Sequence, residues 1–213
     1  MEVDVLKRIP VREQDPQVRA ANFDEVCLGY NKEEAVAEAS RCLKCKNPQC
    51  QKGCPVNIDI PGFIRAIEEN RMEESFDVLS KYSALPAICG RVCPQESQCE
   101  AKCFRGIKGD PVSIGKLERF TADWARENGI RPQPAVEKKG KKVAVIGSGP
   151  AGLTCAGELS KAGYDVTIFE ALHEPGGELV YGIPEFRLPK QTVVAAEIEN
   201  VKSLGVKIET NVV

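Results

Sequence analysis

The chain has 213 residues, with 29 Lys and Arg against 31 Asp and Glu, and a formal net charge of −2. This length allows one large or two small domains, and the interspersed charges give no reason to expect nucleic acid or a membrane surface as a partner. No segment approaches the roughly 20 apolar residues that span a bilayer, and no signal sequence precedes Cys27, so we expect a cytoplasmic protein.

The cysteines are unevenly placed along the chain. Nine of the ten lie between Cys27 and Cys103. In the cytoplasm thiols stay reduced, so dense and regularly spaced cysteines favour metal ligands over disulfides. The amino-terminal part has few large apolar residues for its length and is expected to need a metal or disulfides for stability, whereas the sequence from Lys141 has an ordinary globular composition. We therefore predict two domains, residues 1–137 and residues 138–213.

The amino-terminal part is predicted to be helical after an extended or irregular arm, Met1–Asn31. Asn31 is a suitable cap for a helix over Glu33–Leu43, which would place Cys42 at its C-terminal end. Apolar spacing predicts further helices, and a Pro- and Lys-rich segment, Gly129–Lys141, predicts a linker. The further helices are a segment that begins at Pro61, Met72–Tyr82, and Ile114–Asn128 with Gly129 as its stop.

From Lys142 the pattern becomes that of a βαβ unit. Short apolar runs predict strands at Val143–Ile146 and Val166–Phe169, with a helix over Ala151–Ala162 between them. A Gly- and Pro-rich segment then leads to a helix over residues 191–204 and a third strand at Val206–Glu209, within an apolar stretch that continues to Val213.

Two cysteine runs suggest the chemistry of the first domain. The first run is Cys42-x-x-Cys45-x4-Cys50-x3-Cys54-Pro55, and the second holds Cys89, Cys93-Pro94, Cys99 and Cys103. Structural zinc uses paired Cys-x-x-Cys knuckles, of which only one is present, whereas closely spaced thiolates that end in Cys-Pro are typical of iron-sulfur ligation; zinc remains the alternative. As in two-cluster ferredoxins, Cys42, Cys45 and Cys50 are predicted to hold one 4Fe-4S cluster while Cys54 reaches a second.

A glycine-rich loop suggests the chemistry of the second domain. Gly147-Ser148-Gly149-Pro150-Ala151-Gly152 fits G-x-G-x-x-G between a predicted strand and a predicted helix, where the backbone and the helix N-terminus can receive a pyrophosphate. Glu170 ends the second strand and is placed to accept hydrogen bonds from a ribose. The fingerprint alone does not separate FAD from a nicotinamide cofactor.

On these motifs, together with Ile88-Cys89-Gly90-Arg91-Val92-Cys93-Pro94, the chain resembles the small chain of NADPH-dependent glutamate synthase. The same family includes the large subunit of NADPH:ferredoxin oxidoreductases and the amino-terminal part of dihydropyrimidine dehydrogenase. The resemblance implies an α-helical iron-sulfur domain of the alpha-helical ferredoxin type, followed by an α/β Rossmann-like FAD-binding domain that is incomplete here.

The resemblance also implies site residues. Cys103 completes the cluster of Cys42, Cys45 and Cys50, while Cys54, Cys93, Cys99 and the oxygen of Glu118 hold the other cluster. In the rival allocation Cys89 is the eighth ligand and Glu118 is not a cluster ligand. The segment Glu174–Lys190 resembles the FAD-wrapping part of the family, so Gly177, Glu178 and Arg187 join the expected flavin site. Cys27 and Cys155 are expected to be small buried residues.

The functional expectation is electron transfer within an NAD(P)H-dependent flavoprotein oxidoreductase. Electrons would pass from FAD through two 4Fe-4S clusters to a partner subunit in a hetero-oligomer, and no acid-base or nucleophilic catalytic residue is predicted. A Rossmann domain needs more than three strands, so we expect a longer polypeptide, inactive as this piece alone, with the NADPH site beyond Val213. The alternatives are a non-catalytic cysteine-rich interaction module, or the same relay serving ferredoxin or a pyrimidine-reducing domain.

Overall fold

The computed structural model describes residues 4–135 and 137–213. Contacts divide the chain into two compact units, Met1–Asn22 with Val26–Ile130, and Phe23–Glu25 with Arg131–Val213. Part of the expected linker, Val136, and the first three residues of the expected arm lie outside the described residues. The expected domain boundary near Glu137 stays a prediction.

Helices dominate the amino-terminal unit. A short antiparallel pair, β1 with β2, and three 3-10 helices accompany them. The elements are β1 (Arg12–Glu13), α1 (Pro16–Arg19), β2 (Cys27–Gly29), α2 (Lys32–Ser40), α3 (Gln49–Lys52), α4 (Ile60–Glu68), α5 (Met72–Tyr82), α6 (Pro86–Val92), the 3-10 helices Gln95–Ser97, Glu100–Lys102 and Phe104–Ile107, and α7 (Ile114–Glu127).

Most of the predicted helices are present, with three corrections. The Asn31 side chain accepts from the Glu34 backbone in a capping box, which starts α2 as predicted. However, α2 ends at Ser40, so Cys42 lies beyond the helix rather than in its last turn. Helix α6 was not predicted, because its seven residues are too few to show a period. The arm was predicted to be extended or irregular, and its described part contains two short strands, β1 and β2, but also the short helix α1, which was not predicted.

The core of this unit lies between α4, α5 and α7. Phe63, Ile67, Leu79 and Leu117 each have no exposed surface, and burial of such side chains stabilises the fold by about 1.5–3 kcal/mol each. Helix α6 packs directly onto the α7 backbone at Gly90, because a Cβ there would lie 2.5 Å from the Arg119 nitrogen.

A fully buried ion pair fixes the end of α2. Arg41 donates from Nη1 to Glu38 Oε1 over 2.5 Å, and neither side chain is exposed. The Glu38 carboxylate also accepts from the backbone N–H groups of Ile9 and Ser113, and Arg41 donates to the Asp110 carbonyl. Because a buried pair needs its remaining polar atoms satisfied, this network ties the arm and the segment before α7 to α2.

The carboxy-terminal unit is α/β, as predicted. Its sheet has the order β3-β4-β5, and both strand pairs are parallel, with Val143 opposite Val166 and Ile168 opposite Ile208. The elements are β3 (Lys142–Ile146), α8 (Pro150–Lys161), β4 (Asp165–Phe169), α9 (Glu178–Tyr181), a π-helical turn (Lys190–Val194), α10 (Ala195–Ser203) and β5 (Lys207–Glu209).

The last strand begins at Lys207, one residue later than predicted, and has the predicted end. It ends at Glu209, and Asn211 adopts a left-handed φ of 59°, which breaks an extended run before Val213. At the other edge of the sheet, Ile146 of β3 is 83% exposed. Among the described residues, no helix is both long and apolar enough to cross a bilayer.

Candidate functional site

All ten cysteines lie within the described residues, and all are free thiols. Two fall outside the paired runs. Cys27 is half-buried in β2, but Cys155, which was expected to be buried, is exposed on α8. The buried side of α8 is provided by Leu153, Ala156 and Ser160, so Cys155 faces away from the sheet.

The first thiol group consists of Cys42, Cys45, Cys50 and Cys103. Burial raises the pKa of Cys42, and the charges of Cys103 and Cys45 raise it further. Burial and then the charges of the same neighbours raise the pKa of Cys50 to about 12. The structure therefore brings a cysteine of the second run beside three of the first.

A hydrogen bond from a side chain to a backbone carbonyl holds this first group together. Arg105 donates from Nε to the carbonyl oxygen of Arg41 over 3.0 Å. Since Arg105 follows Cys103 by two residues and Arg41 directly precedes Cys42, the contact fixes the two ligand-bearing segments against each other. The buried Glu38–Arg41 pair fixes the same position from within.

The second thiol group lies on the loop after α3, on α6 and around the first 3-10 helix, with a carboxylate from α7. Its members are Cys54, Cys89, Cys93, Cys99 and Glu118. Burial raises the pKa of Cys99, and the charges of Glu100, Glu118 and Cys54 raise it further. The pairing of Cys54 with Cys99 means that this group, too, draws on both runs.

Within the second group Cys89 and Cys93 form a hydrogen-bonded pair. The Cys89 thiol donates to the Cys93 sulfur, which raises the pKa of Cys89 and lowers that of Cys93 to about 7. Ser83 in turn donates from Oγ to the Cys89 sulfur over 3.9 Å. Glu118 is 7% exposed and its charge also raises the pKa of Cys89.

Two glycines let the segments of the second group approach. A Cβ on Gly53 would lie 2.8 Å from the Gln98 carbonyl oxygen, so the chain before Cys54 packs on the chain before Cys99. Gly90 brings α6, which carries Cys89, onto the α7 backbone next to Glu118. Neither role was predicted from the sequence, because a close approach between distant segments leaves no local pattern.

The donor set fits an iron-sulfur group. Burial raises the pKa of several of these thiols, so each favours its neutral form unless a cation replaces the proton, and iron-sulfur clusters are held by cysteine thiolates. Among the described residues, no three or more His, Cys, Asp or Glu side chains converge tightly enough to hold a single metal ion.

The glycine loop has the predicted place between β3 and α8. Gly147 has a φ of 89°, and a Cβ on Gly147 or Gly149 would meet no described atom within 4 Å, so this side of the loop is open. A Cβ on Gly152 would lie 2.0 Å from the Gly147 carbonyl oxygen, so α8 packs against the loop itself. This geometry leaves room for a pyrophosphate at the N-terminus of α8.

A buried hydroxyl connects the loop to the other predicted residues. Ser148, which has no exposed surface, donates from Oγ to Glu170 Oε2 over 2.5 Å and accepts from the Gly176 N–H over 3.0 Å. The Glu170 carboxylate also accepts from the Ser148 and Leu172 N–H groups. The Ser148 hydroxyl, with these backbone bonds, holds the pKa of Glu170 below its ordinary value.

The remaining predicted flavin-site residues differ in position. Gly177 has a φ of 53°, and its Cβ position is 3.0 Å from the Gly149 Cα, so it lies against the loop. Pro150 and Ala151 open α8 and are exposed. Glu178 opens α9, whereas Arg187 lies farther along on an exposed turn, and no described contact brings Arg187 to the loop.

A protein-family model agrees with the fold and the thiol groups. Residues 19–130, just over half of the chain, match the family described as dihydropyrimidine dehydrogenase domain II, 4Fe-4S cluster. The chain belongs to this family. Residues 145–182 match an NAD(P)-binding Rossmann-like domain, which covers the end of β3, the glycine loop, α8 and β4.

Curated proteins give the same pattern. The chain is 38% identical over 207 residues to the glutamate synthase [NADPH] small chain of Escherichia coli K12, covering 97% of this chain and 44% of that protein. It is 42% identical over 190 residues to the NAD-dependent dihydropyrimidine dehydrogenase subunit PreT of the same strain, covering 89% and 46%. The glutamate synthase small chain of Halomonas elongata matches at 39%, with 93% and 43% covered. The chain spans less than half the length of these relatives.

Proposed function

We propose that the chain is the electron-transfer region of an NAD(P)H-dependent flavoprotein oxidoreductase of the glutamate synthase small-chain type. When bound, two 4Fe-4S clusters and FAD supply the redox chemistry, which is the release and uptake of single electrons. The protein holds these groups at fixed positions, and the electrons leave to a partner redox subunit.

The observation that carries this proposal is the exchange of cysteines between the two runs. Cys103 of the second run lies with Cys42 and Cys50, and Cys54 of the first run lies with Cys99. Two sites that share ligand-bearing segments are necessarily close, which suits successive electron transfer. A purely structural metal site has no need of such an arrangement.

We assign Glu118, and not Cys89, to the second cluster. The sulfur of Cys89 already donates to Cys93 and accepts from Ser83, so packing and hydrogen bonding account for it. Glu118 is buried on α7, and its charge raises the pKa of Cys99. The eight ligands are then Cys42, Cys45, Cys50 and Cys103 for the first cluster, and Cys54, Cys93, Cys99 and Glu118 for the second.

The flavin is proposed for the carboxy-terminal unit. The open side of Gly147 and Gly149 supports a pyrophosphate there, and the Ser148–Glu170 bond supports a ribose site at the end of β4. Gly177 and the start of α9 at Glu178 extend that site, and Arg187 is assigned to its outer end.

The test is anaerobic purification of the full-length protein, followed by iron and sulfide analysis and electron paramagnetic resonance after reduction. Two four-iron clusters predict about eight iron and eight sulfide per chain and two distinguishable reduced signals. A colourless protein that contains zinc supports a metal-binding interaction module instead, and contradicts the relay.

A second measurement tests the assignment of Glu118. Glu118→Ala is expected to change the spectrum and potential of one cluster, whereas Cys89→Ala leaves both clusters in place. Unchanged spectra in Glu118→Ala together with iron loss in Cys89→Ala would exchange the two roles.

A further inference from the structure

The two segments that carry the first thiol group are strongly basic on a chain that is acidic overall. Residues 42–58 and 101–109 contain no Asp or Glu, in contrast to the net charge of −2 for the whole chain. Their basic residues are Lys44, Lys46, Lys52, Lys102, Arg105 and Lys108. Within the described residues, Lys44 alone of these six is in an ion pair, with Glu68.

Apolar side chains lie exposed on the same two segments. Leu43, which follows Cys42, is 48% exposed; Phe104, which follows Cys103, is 44% exposed; and Ile107 is 75% exposed. Single exposed apolar residues are ordinary on a protein surface. Three of them among lysines beside one site, however, resemble a protein-protein interface, in which apolar residues at the centre are surrounded by polar and charged residues.

The two segments form one continuous surface. Arg105 donates to the Arg41 carbonyl at 3.0 Å, Cys103 lies beside Cys42 and Cys50, and the Gly53 Cβ position is 2.9 Å from Lys102 Cγ. We define the basic surface as the exposed lysines with these apolar residues. Its members are Lys46, Lys52, Lys102, Lys108, Leu43, Phe104 and Ile107.

We propose that the basic surface is the docking site for an acidic electron-carrier protein, which accepts electrons from the first thiol group. This inference rests on the proposed function and names the place and the chemistry of the partner. One electron leaves the reduced cluster and enters the oxidised centre of the carrier, so no bond forms and no proton moves.

Charge and position together support this occupant. An acidic carrier is steered to a lysine cluster, and such steering raises association rates by about 10–1000-fold at low salt. Leu43 directly follows Cys42 and Phe104 directly follows Cys103, so the basic surface adjoins two proposed ligands of the first cluster. A nucleic acid would also favour lysines, but the chain as a whole carries a net charge of −2, whereas nucleic-acid-binding domains are basic overall.

The experiment uses the full-length, iron-loaded protein and two carrier probes, an acidic plant-type ferredoxin and the basic cytochrome c. The double variant Lys46→Glu with Lys108→Glu reverses charge on the basic surface. The control, Lys32→Glu with Lys81→Glu, makes the same charge change on exposed lysines at the start of α2 and the end of α5. Dissociation constants are measured by calorimetry at low and high salt.

The expected result is a ferredoxin dissociation constant that rises at least about tenfold in the surface variant at low salt, with the difference shrinking at high salt. The control variant keeps the wild-type affinity, and cytochrome c does not lose affinity in the surface variant. Ile107→Ser is expected to weaken ferredoxin binding a few-fold at every salt concentration.

Equal ferredoxin affinity in wild type and surface variant overturns the docking site, as does an equal loss in the control. Iron content and midpoint potentials are measured on the same samples. If the affinity for ferredoxin is unchanged and the midpoint potential of a cluster falls, the lysines act only as positive charges that set this potential. That result also overturns the docking site. A purified protein without iron-sulfur clusters contradicts the proposed function itself. Intact clusters together with an unchanged ferredoxin affinity contradict only the docking role of the basic surface.

Discussion

The two units build their sites in opposite ways. In the carboxy-terminal unit the site is local, because Gly147–Gly152 spans the loop after β3 and the first turn of α8, and Glu170 directly follows the next strand. In the amino-terminal unit each thiol group draws on segments far apart in the chain, such as Cys50 with Cys103. A local site depends on the conformation of one loop, whereas a composite site depends on the packing of whole helices.

The largest effect on the composite site is expected from a substitution at the contact between α6 and α7. Gly90→Ala places a methyl group 2.5 Å from the Arg119 backbone nitrogen. Because this atom is part of the α7 backbone, it cannot move aside as a flexible side chain could. We expect a loss of about 1–3 kcal/mol or more in the free energy of unfolding, together with loss of iron from the second thiol group. Thermal unfolding and iron analysis measure the two effects.

Gly106→Ala is the matched control for this change. A Cβ on Gly106 would lie in ordinary contact, 3.5 Å from Pro111, so its stability and iron content should remain those of the wild type. If Gly90→Ala behaves like the control, the helix contact does not determine the second group.

The local site is predicted to break in two distinguishable ways. Gly152→Ala forces a methyl group onto the Gly147 carbonyl at 2.0 Å, so it should destabilise the loop by about 1–3 kcal/mol. Gly149→Ala enters open space, so it should leave the melting temperature unchanged while weakening flavin binding about tenfold or more, since the pyrophosphate approaches there. Melting curves and flavin titration separate these outcomes; equal behaviour of the two variants argues against a cofactor on this face.

A smaller effect is expected from the hydroxyl that organises this loop. Ser148→Ala removes the donor to Glu170 and the acceptor for the Gly176 N–H, which should cost about 1–3 kcal/mol of folding free energy. Ser203→Ala removes only a half-buried hydroxyl that bonds a carbonyl of its own helix, so it serves as the control. Urea unfolding of both variants measures the difference, and equal losses would contradict a special role for Ser148.

The smallest effect is a pH dependence at Glu170. Its pKa is lowered on folding from an ordinary 4.5, so its contribution to stability is complete above that pH and is lost as the pH falls through the lowered value. The melting temperatures of wild type and Glu170→Gln should therefore differ at neutral pH and converge in acid. A difference that is constant with pH contradicts the proposed hydrogen bonding.

This contrast also explains what sequence reasoning could predict. The glycine loop, the flanking strands, α5 and the cap at Asn31 were predicted, because each follows from residues next to one another. Helix α6 and the fully buried Glu38–Arg41 pair were missed, because a seven-residue helix shows no period and a buried charge looks like a surface charge in sequence. The roles of Gly53 and Gly90 were likewise missed, since only the packed partner reveals why no Cβ fits there.

The central claim, that the two cysteine runs exchange ligands, is tested most directly by single alanine variants of the full-length protein. The reduced protein is examined by electron paramagnetic resonance. The account predicts that Cys42→Ala and Cys103→Ala lose the same cluster signal, while Cys54→Ala and Cys99→Ala lose the other. If instead Cys42→Ala and Cys54→Ala lose one signal, and Cys99→Ala and Cys103→Ala lose the other, each run holds its own cluster and the account is wrong.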